Sequence, residues 1–260
     1  MEQFDSAAKT YDRDFSCSKT GRLQRNLIQL QLSRLLDSGG ELEILELNCG
    51  TGEDALWLAN KGHQVWATDI SDEMLAATSR KVAQIDAIRV KKVDLKNLGE
   101  LDSERKYDMV FSNFGGLNCL NAYEFERFFN EVGVLIKPDG HLVLVVMSRF
   151  CLWETLYFSI KLRPLQALRR LRGFALAQVS GEQLATWYYS VRMLRKMAKK
   201  SFVLKKSKAI GCFGPPSYLE SFFVQRPKFF AWLERIEMRR ADLSWQAHFA
   251  DHIYLEFKAK

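Results

Sequence analysis

From residue 43 onward, short apolar runs alternate with amphipathic stretches, and that alternation predicts most of the fold. Residues 43–47, 64–68, 88–93, 107–112 and 141–147 read as strands, the longest clear apolar run being Leu142 to Met147. Between them, 53–61, 71–82 and 121–135 repeat their apolar residues at helical spacing. Gly62 closes the first of these helices, and Ser71 stands as an N-cap before Asp72 and Glu73. Pro138-Asp139-Gly140 reads as a turn. Strands alternating with helices at this pace predict an α/β fold, a doubly wound parallel sheet covered on both faces.

The flanks read differently. Residues 1–40 form a helical lead-in, with Leu23, Leu27, Leu30, Leu32 and Leu35 near helical spacing and Ser38-Gly39-Gly40 ending it. The core spans 41–149. Residues 150–200 are rich in aromatic and basic residues and read as a helical cap inserted over the carboxyl edge of the sheet. In 201–260, Phe202 to Gly211 and Asp251 to Phe257 read as final strands, and 217–240 as helix restarted at Pro227.

Composition narrows the class. An apolar fraction of 47% over 260 residues is ample for a core. No apolar run approaches the roughly eighteen residues of a membrane span. Met1 to Asp5 has neither a basic start nor an apolar stretch, so no secretory signal is expected. The five cysteines are scattered without a CxxC pair, which points away from a disulfide framework or a zinc site and towards a reduced, cytoplasmic protein. The net charge of +7 is local: residues 161–208 hold thirteen Lys or Arg against Glu182, a net +12, and leave the rest at −5.

The candidate chemistry begins at Glu46-Leu47-Asn48-Cys49-Gly50-Thr51-Gly52, where a strand breaks into a small-residue turn and re-enters a helix. Seventeen residues past Gly52, Asp69 ends the second strand. Strand, glycine turn, helix, strand and terminal acid suit an adenosine-bearing cofactor, with the acid placed to accept from ribose hydroxyls. A plain structural turn, a nicotinamide site (Gly50 to Ala55 fits G-x-G-x-x-A) and an S-adenosylmethionine site all remain open on this motif alone.

Further motifs in order bring in a resemblance. The Glu46–Gly52 segment resembles the acid-x-Gly-x-Gly-x-Gly signature of class I S-adenosylmethionine-dependent methyltransferases. Asp69-Ile70-Ser71-Asp72-Glu73-Met74 looks like that family's ribose-binding strand end, and Val93-Asp94-Leu95 like the site where an acid holds the adenine amino group. Tyr107 to Asn113, followed by Phe114, is similar to its fourth strand, and Lys137 to Leu142 to the turn into its fifth. Phe4 to Asp12 looks like the lead-in of small-molecule enzymes of the ubiquinone/menaquinone-biosynthesis type, where a tyrosine, here Tyr11, closes over the cofactor. The resemblance covers about residues 1–147. It implies a Rossmann-like seven-stranded sheet with an antiparallel last strand, S-adenosyl-L-methionine as cofactor, no metal, and cofactor contacts at Tyr11, Glu46, Asn48, Cys49, Gly50, Gly52, Asp69, Ile70, Met74, Asp94, Leu95, Asn113 and Phe114. Asn48 departs from it, standing where the family has glycine. Asn tolerates positive φ next best, so the turn survives, with a side chain pointing into the site.

Methyl transfer is an in-line displacement, so the protein's task is to align the acceptor and exclude water. An antiparallel last strand would bring Asp251 and His252 to the active edge, as an oriented base if the acceptor must lose a proton. His63 and His141 fall at the opposite edge and read as structural. Asn118, Trp153, Tyr157, Tyr188 and Tyr218 are the candidate acceptor contacts. An aromatic pocket under the basic cluster of Arg163, Arg169, Arg170 and Arg172 suits a small aromatic or hydrophobic acceptor bearing an anionic group, with an acidic carrier protein or an anionic membrane surface as a further partner. The competing classes are an RNA-modifying enzyme using the basic segment and a non-catalytic cofactor-binding protein. Neither a recognised RNA-binding module nor an [Asp/Asn]-Pro-Pro-[Tyr/Phe] motif after strand four supports nucleic acid.

Overall fold

A computed structural model of the chain describes residues 5–37, 39–179, 182–216 and 219–260. The lead-in is α1 (Asp5–Tyr11), a π-helical turn (Asp12–Ser16) and α2 (Lys19–Leu36). The core alternates as β1 (Glu43–Leu47), α3 (Glu53–Asn60), β2 (Gln64–Asp69), α4 (Asp72–Lys81), β3 (Ile88–Lys92), β4 (Tyr107–Ser112), α5 (Ala122–Leu135) and β5 (Ile136–Met147). The cap follows as α6 (Leu152–Ile160), α7 (Pro164–Ala167), a 3-10 turn (Arg169–Arg172), β6 (Phe174–Val179), β7 (Glu182–Trp187) and α8 (Val191–Ala198). The chain closes with β8 (Phe202–Ile210), α9 (Glu220–Val224), α10 (Pro227–Arg240), a 3-10 turn (Ser244–His248) and β9 (His252–Ala259).

One seven-stranded sheet, ordered β3-β2-β1-β4-β5-β9-β8, organises these elements. β1 to β5 pair in parallel, and β9 runs antiparallel to both β5 and β8. Both faces are covered, as a parallel sheet requires. One face packs Phe125, Phe128 and Phe129 of α5 and Leu194 of α8. The other packs Leu27, Ile28 and Leu32 of α2, Leu58 of α3 and Leu233 of α10.

Local chemistry sets the boundaries. Ser71 caps α4 by accepting from the Met74 amide at 3.2 Å. Asn121 and Glu124 form a reciprocal capping box on α5. Pro227 occupies the first turn of α10, where its missing N–H costs nothing.

Two expectations are corrected. The Pro138–Gly140 turn is absorbed into β5, whose pairing with β4 is irregular between Tyr107 and Met109, with Asp139 at φ 63°. The cap is not all helical: Phe174–Val179 and Glu182–Trp187 form an antiparallel two-stranded ribbon. Its Phe174, Leu176 and alternating partners carry a period of two that the surrounding basic helices obscure.

Candidate active site

Every parallel strand ends at one edge of the sheet, and a cavity of about 520 Å³ opens there. Asn48 and Gly50 after β1, Asp69 and Ile70 at the end of β2, Asp94 and Leu95 after β3, Asn113 and Phe114 after β4, and Met147 at the end of β5 all line it. Cys49, Met74 of α4 and Tyr11 of α1 complete the predicted wall. Glu46 and Gly52 are neighbours of the cavity rather than its lining. Gly52 takes φ 79° as the cap of α3, and a Cβ there would meet Thr78 at 2.8 Å.

The acidic end is preorganised. The Asp69 carboxylate accepts from the Gly50 amide at 2.9 Å and the Ser71 amide at 3.0 Å, which fixes its plane and leaves lone pairs for a ligand. Burial raises its pKa, and those amides oppose the shift. Asp94 accepts from the Lys96 amide at 2.8 Å. Gly50, at φ 57°, has nothing in front of the position a Cβ would take, so a ligand can approach its backbone closely. Glu46 is buried, with Oε2 lacking any partner. Burial first, then Asp54, pushes its pKa well above the usual carboxylate range. A buried orphan acid, a bare glycine and two strand-end carboxylates fit the amino acid, sugar and base of an adenosyl-sulfonium cofactor.

Asn48 adopts φ 50°, as the turn demands. Its side chain lines the cavity without hanging free. Nδ2 donates to the Asn113 carbonyl at 2.6 Å, and Oδ1 accepts from Ser112 at 2.5 Å. It lies flat against Gly116, where a Cβ would fall 2.5 Å from the Asn48 amide carbon.

A second group of residues closes the site from the lead-in. Arg25 of α2 pairs with Asp54 at 2.6 Å and lies over the Phe114 ring at 5.1 Å, while Asn113 donates to the same Asp54 oxygen at 2.8 Å. Tyr11, Phe15 and Phe114 form an aromatic chain with centroid separations of 5.6 and 4.9 Å. Burial pushes the Tyr11 hydroxyl up to about 12, with Arg25 pulling the other way. Thr51 donates to Asp12 at 2.5 Å, and Lys81 bridges Asp12 and Glu53. Sequence reasoning missed Arg25, Thr51 and Asp54 as wall residues, since Arg25 reads as an ordinary helix position, Asp54 as a first-turn acid and Thr51 only as a spacer in the turn.

The far wall is the β6–β7 ribbon: Leu176, Ala177 and Gln183–Trp187 face Gly115, Gly116, Cys119 and Leu120. Burial lifts the Cys119 thiol to about 11 and the Cys49 thiol well above its ordinary value, so neither is an available thiolate near neutrality. Asn118 does not line the cavity. It is fully buried and ties the roof to the sheet, donating to the carbonyls of Trp187 (2.6 Å) and Met147 (3.3 Å) and accepting from the Met147 amide (2.8 Å).

The remaining aromatic candidates lie elsewhere. Trp153 donates to the Phe213 carbonyl at 3.0 Å and packs on Phe223. Tyr157 stacks edge-on to Phe158 beneath Lys161. Tyr188 is buried under Arg170. Tyr218 lies outside the described residues. The cap arginines do not rim the cavity either. Arg169 and Arg170 are spent on buried Glu154, at 2.6 and 2.9 Å. An aromatic pocket under a cationic rim therefore gives way to a largely aliphatic one roofed by the ribbon.

Asp251 and His252 stand behind the wall. Asp251 pairs with Arg170 at 2.7 Å, lies 3.2 Å from His252 Nδ1 and accepts from Gln24 at 3.2 Å. Burial opposes its charge, yet His252 and Arg170 hold its carboxyl well below the usual range. His252 pairs with Met147 across the strands and meets Phe114 edge-on at 5.9 Å. His63 accepts from the Leu42 amide, and His141 lies 4.0 Å from Glu256, both at the opposite edge.

Residues 44–140 match a sequence family described as "Methyltransferase domain". The chain is 34% identical over 112 residues to YqeM of Bacillus subtilis, covering 43% of this chain and 44% of that one. It is 29% identical over 145 residues to a demethylmenaquinone methyltransferase of Clavibacter sepedonicus, 56% of each. The chain thus spans about half the length of these curated relatives. Among solved structures, the DhpI–SAH complex superposes with a TM-score of 0.58 at 16% identity, over 98% of this chain and 93% of that one, a likeness of fold.

Proposed function

We propose that this chain, whose residues 44–140 match a methyltransferase domain, is an S-adenosylmethionine-dependent methyltransferase that transfers a methyl group to a small, mainly apolar acceptor held beneath the β6–β7 ribbon. The observation that carries this reading is one continuous cavity, with Asp69 and Asp94 at one end and Leu176, Leu184 and Trp187 at the other. The demethylmenaquinone relative supports an acceptor of apolar type.

When bound, S-adenosylmethionine supplies the electrophilic methyl group and its own leaving group. Asp69 and Asp94 would hold its sugar and base, and Glu46 its amino group. The chain's work is then placement and desolvation. The aliphatic ribbon and Met147 orient the acceptor, and Tyr11, Phe15 and Phe114 shut out water. No imidazole lines the cavity among the described residues, so His252 acts through Phe114 as a positioning residue. Turnover should be assayed with a panel of hydrophobic phenols, amines and carboxylates beside RNA, with cofactor binding followed in parallel by calorimetry. Turnover on a hydrophobic member is expected, with His252→Ala raising KM and leaving the pH profile in place. Cofactor binding without turnover on any acceptor, or turnover on RNA alone, would overturn the acceptor class. Loss of the basic limb of the profile in His252→Ala would make His252 the base.

A further inference from the structure

The cap carries an outward face that the cavity does not use. Ile160, Leu162 and Leu165 are 73%, 88% and 70% exposed, and Leu168, Leu171 and Phe174 follow them onto the surface. Monomeric proteins rarely display so much large aliphatic surface along one continuous segment. Cations are interleaved with it: Lys161, Arg163 and Arg172 are all exposed. The one acid of the segment from Leu152 to Leu176, Glu154, is buried and neutralised by Arg169 and Arg170. Among the described residues, no helix is long and apolar enough to cross a membrane.

Leu162 adds an independent observation. It follows α6 at φ 55°, its amide bonded to the Ser159 carbonyl at 3.0 Å and the next amide to that of Phe158 at 2.9 Å. This is the left-handed residue that ends a helix, a position glycine fills without strain and a branched side chain fills at a cost. The chain accepts that strain to hold a leucine almost wholly in solvent. Strain retained at an exposed apolar tip is the mark of a contact made there.

We propose that this face docks on an anionic phospholipid bilayer, the aliphatic side chains entering the headgroup–acyl boundary and the cations meeting lipid phosphates. Charge complementarity chooses this occupant. A second copy of the chain would set the same cations against one another, since the segment offers no exposed acid to answer them. Lys161, Arg163 and Arg172 thus give this face a positive sign of its own, which a negative surface attracts. Leu176 is half exposed and also lines the cavity, so the docked face runs up to the roof of the site. The inference stands apart from the proposed chemistry, because docking needs neither cofactor nor turnover.

Co-sedimentation of the full chain with phosphatidylcholine vesicles, with and without phosphatidylglycerol, tests it. Binding to the anionic vesicles is expected to be at least about tenfold tighter than to the neutral ones and to weaken with salt. Leu162→Gly removes the apolar tip and relieves the backbone, so it should bind about tenfold more weakly while melting no lower than the parent. A double change, Ile160→Gln with Leu165→Gln, should weaken binding further. Equal binding to both vesicle types, no binding, or unchanged binding by both variants would overturn the proposal. Self-association that disappears in Leu162→Gly, without vesicle binding, would assign the face to a second copy instead.

Discussion

Asn48 shows how one departure from a signature is absorbed. Its positive φ and its place in the turn were readable from the sequence, because asparagine is the next residue after glycine to enter that region. Where its side chain goes was not readable. That depends on Ser112, Asn113 and Gly116, which are far away in sequence and arrive with β4. The bare face of Gly116 is thus the counterpart of the missing glycine at 48. Gly116→Ala should push Asn48 off its two partners, at about 1–3 kcal/mol, and weaken cofactor binding measurably by calorimetry. Adding Asn48→Gly should restore much of the affinity. A double variant as weak as Gly116→Ala alone would show that the two positions are not coupled. The surroundings of Asp251 and His252 were hidden for a related reason. Sequence placed Asp251 and His252 at the active edge, but only the fold shows Phe114, which lines the cavity, packed edge-on to His252 and Arg170 paired with the Asp251 carboxylate.

The core elements were legible because the central strands β1, β4 and β5 are buried on both sides and need an apolar run, while the helices that cover them need a capped amphipathic stretch. The β6–β7 ribbon was not, since its strands lie on the sheet's rim with one side in solvent and carry only a weak alternation. The first part of the lead-in, α1 and the π-helical turn, lies over the site as a lid held by Thr51 to Asp12, Lys81 to Asp12, Ser71 to Asp5 and the aromatic chain from Tyr11 to Phe114. Elements fastened this lightly sit at the low-stability end of a fold and open first. Thr51→Val keeps the shape of residue 51 and deletes its hydrogen bond to Asp12. The lid should open more often, speeding cofactor release several-fold at a cost near 1 kcal/mol, with little change in the melting temperature. Stopped-flow displacement of the cofactor would read this. A release rate equal to the parent's would mean that the lid is not closed by that bond.

Across the whole molecule, Arg170 is the rivet between cap, sheet and lead-in, joining Glu154 of α6 to Asp251 beside β9, which in turn accepts from Gln24 of α2. Arg170→Met would strip buried Asp251 of its guanidinium and leave Glu154 with Arg169 alone, and a loss of about 3 kcal/mol is expected. The pH dependence has a definite sign. Asp251 has a folded pKa below its unfolded one, so its contribution is present above about pH 4 and disappears as pH falls through the folded value. The stability gap between parent and Arg170→Met should therefore hold from pH 7 to about pH 4 and narrow in stronger acid. Denaturant melts across that range would check it, and a gap already closed at pH 6 would refute the assignment. Sequence displayed this segment only as a basic cluster, because which arginines are buried is a property of the packed cap. The sheet order carries one more consequence, for biosynthesis. β9 follows β8 in sequence, yet it lies between β5 and β8, and among the described residues β8 has no other neighbour in the sheet. Until β9 has emerged from the ribosome, β5 has an open edge and β8 has nothing to pair with. The nascent chain therefore emerges with its cofactor turn already made and its sheet unfinished, exposed to edge-to-edge association until the closing strand slots in.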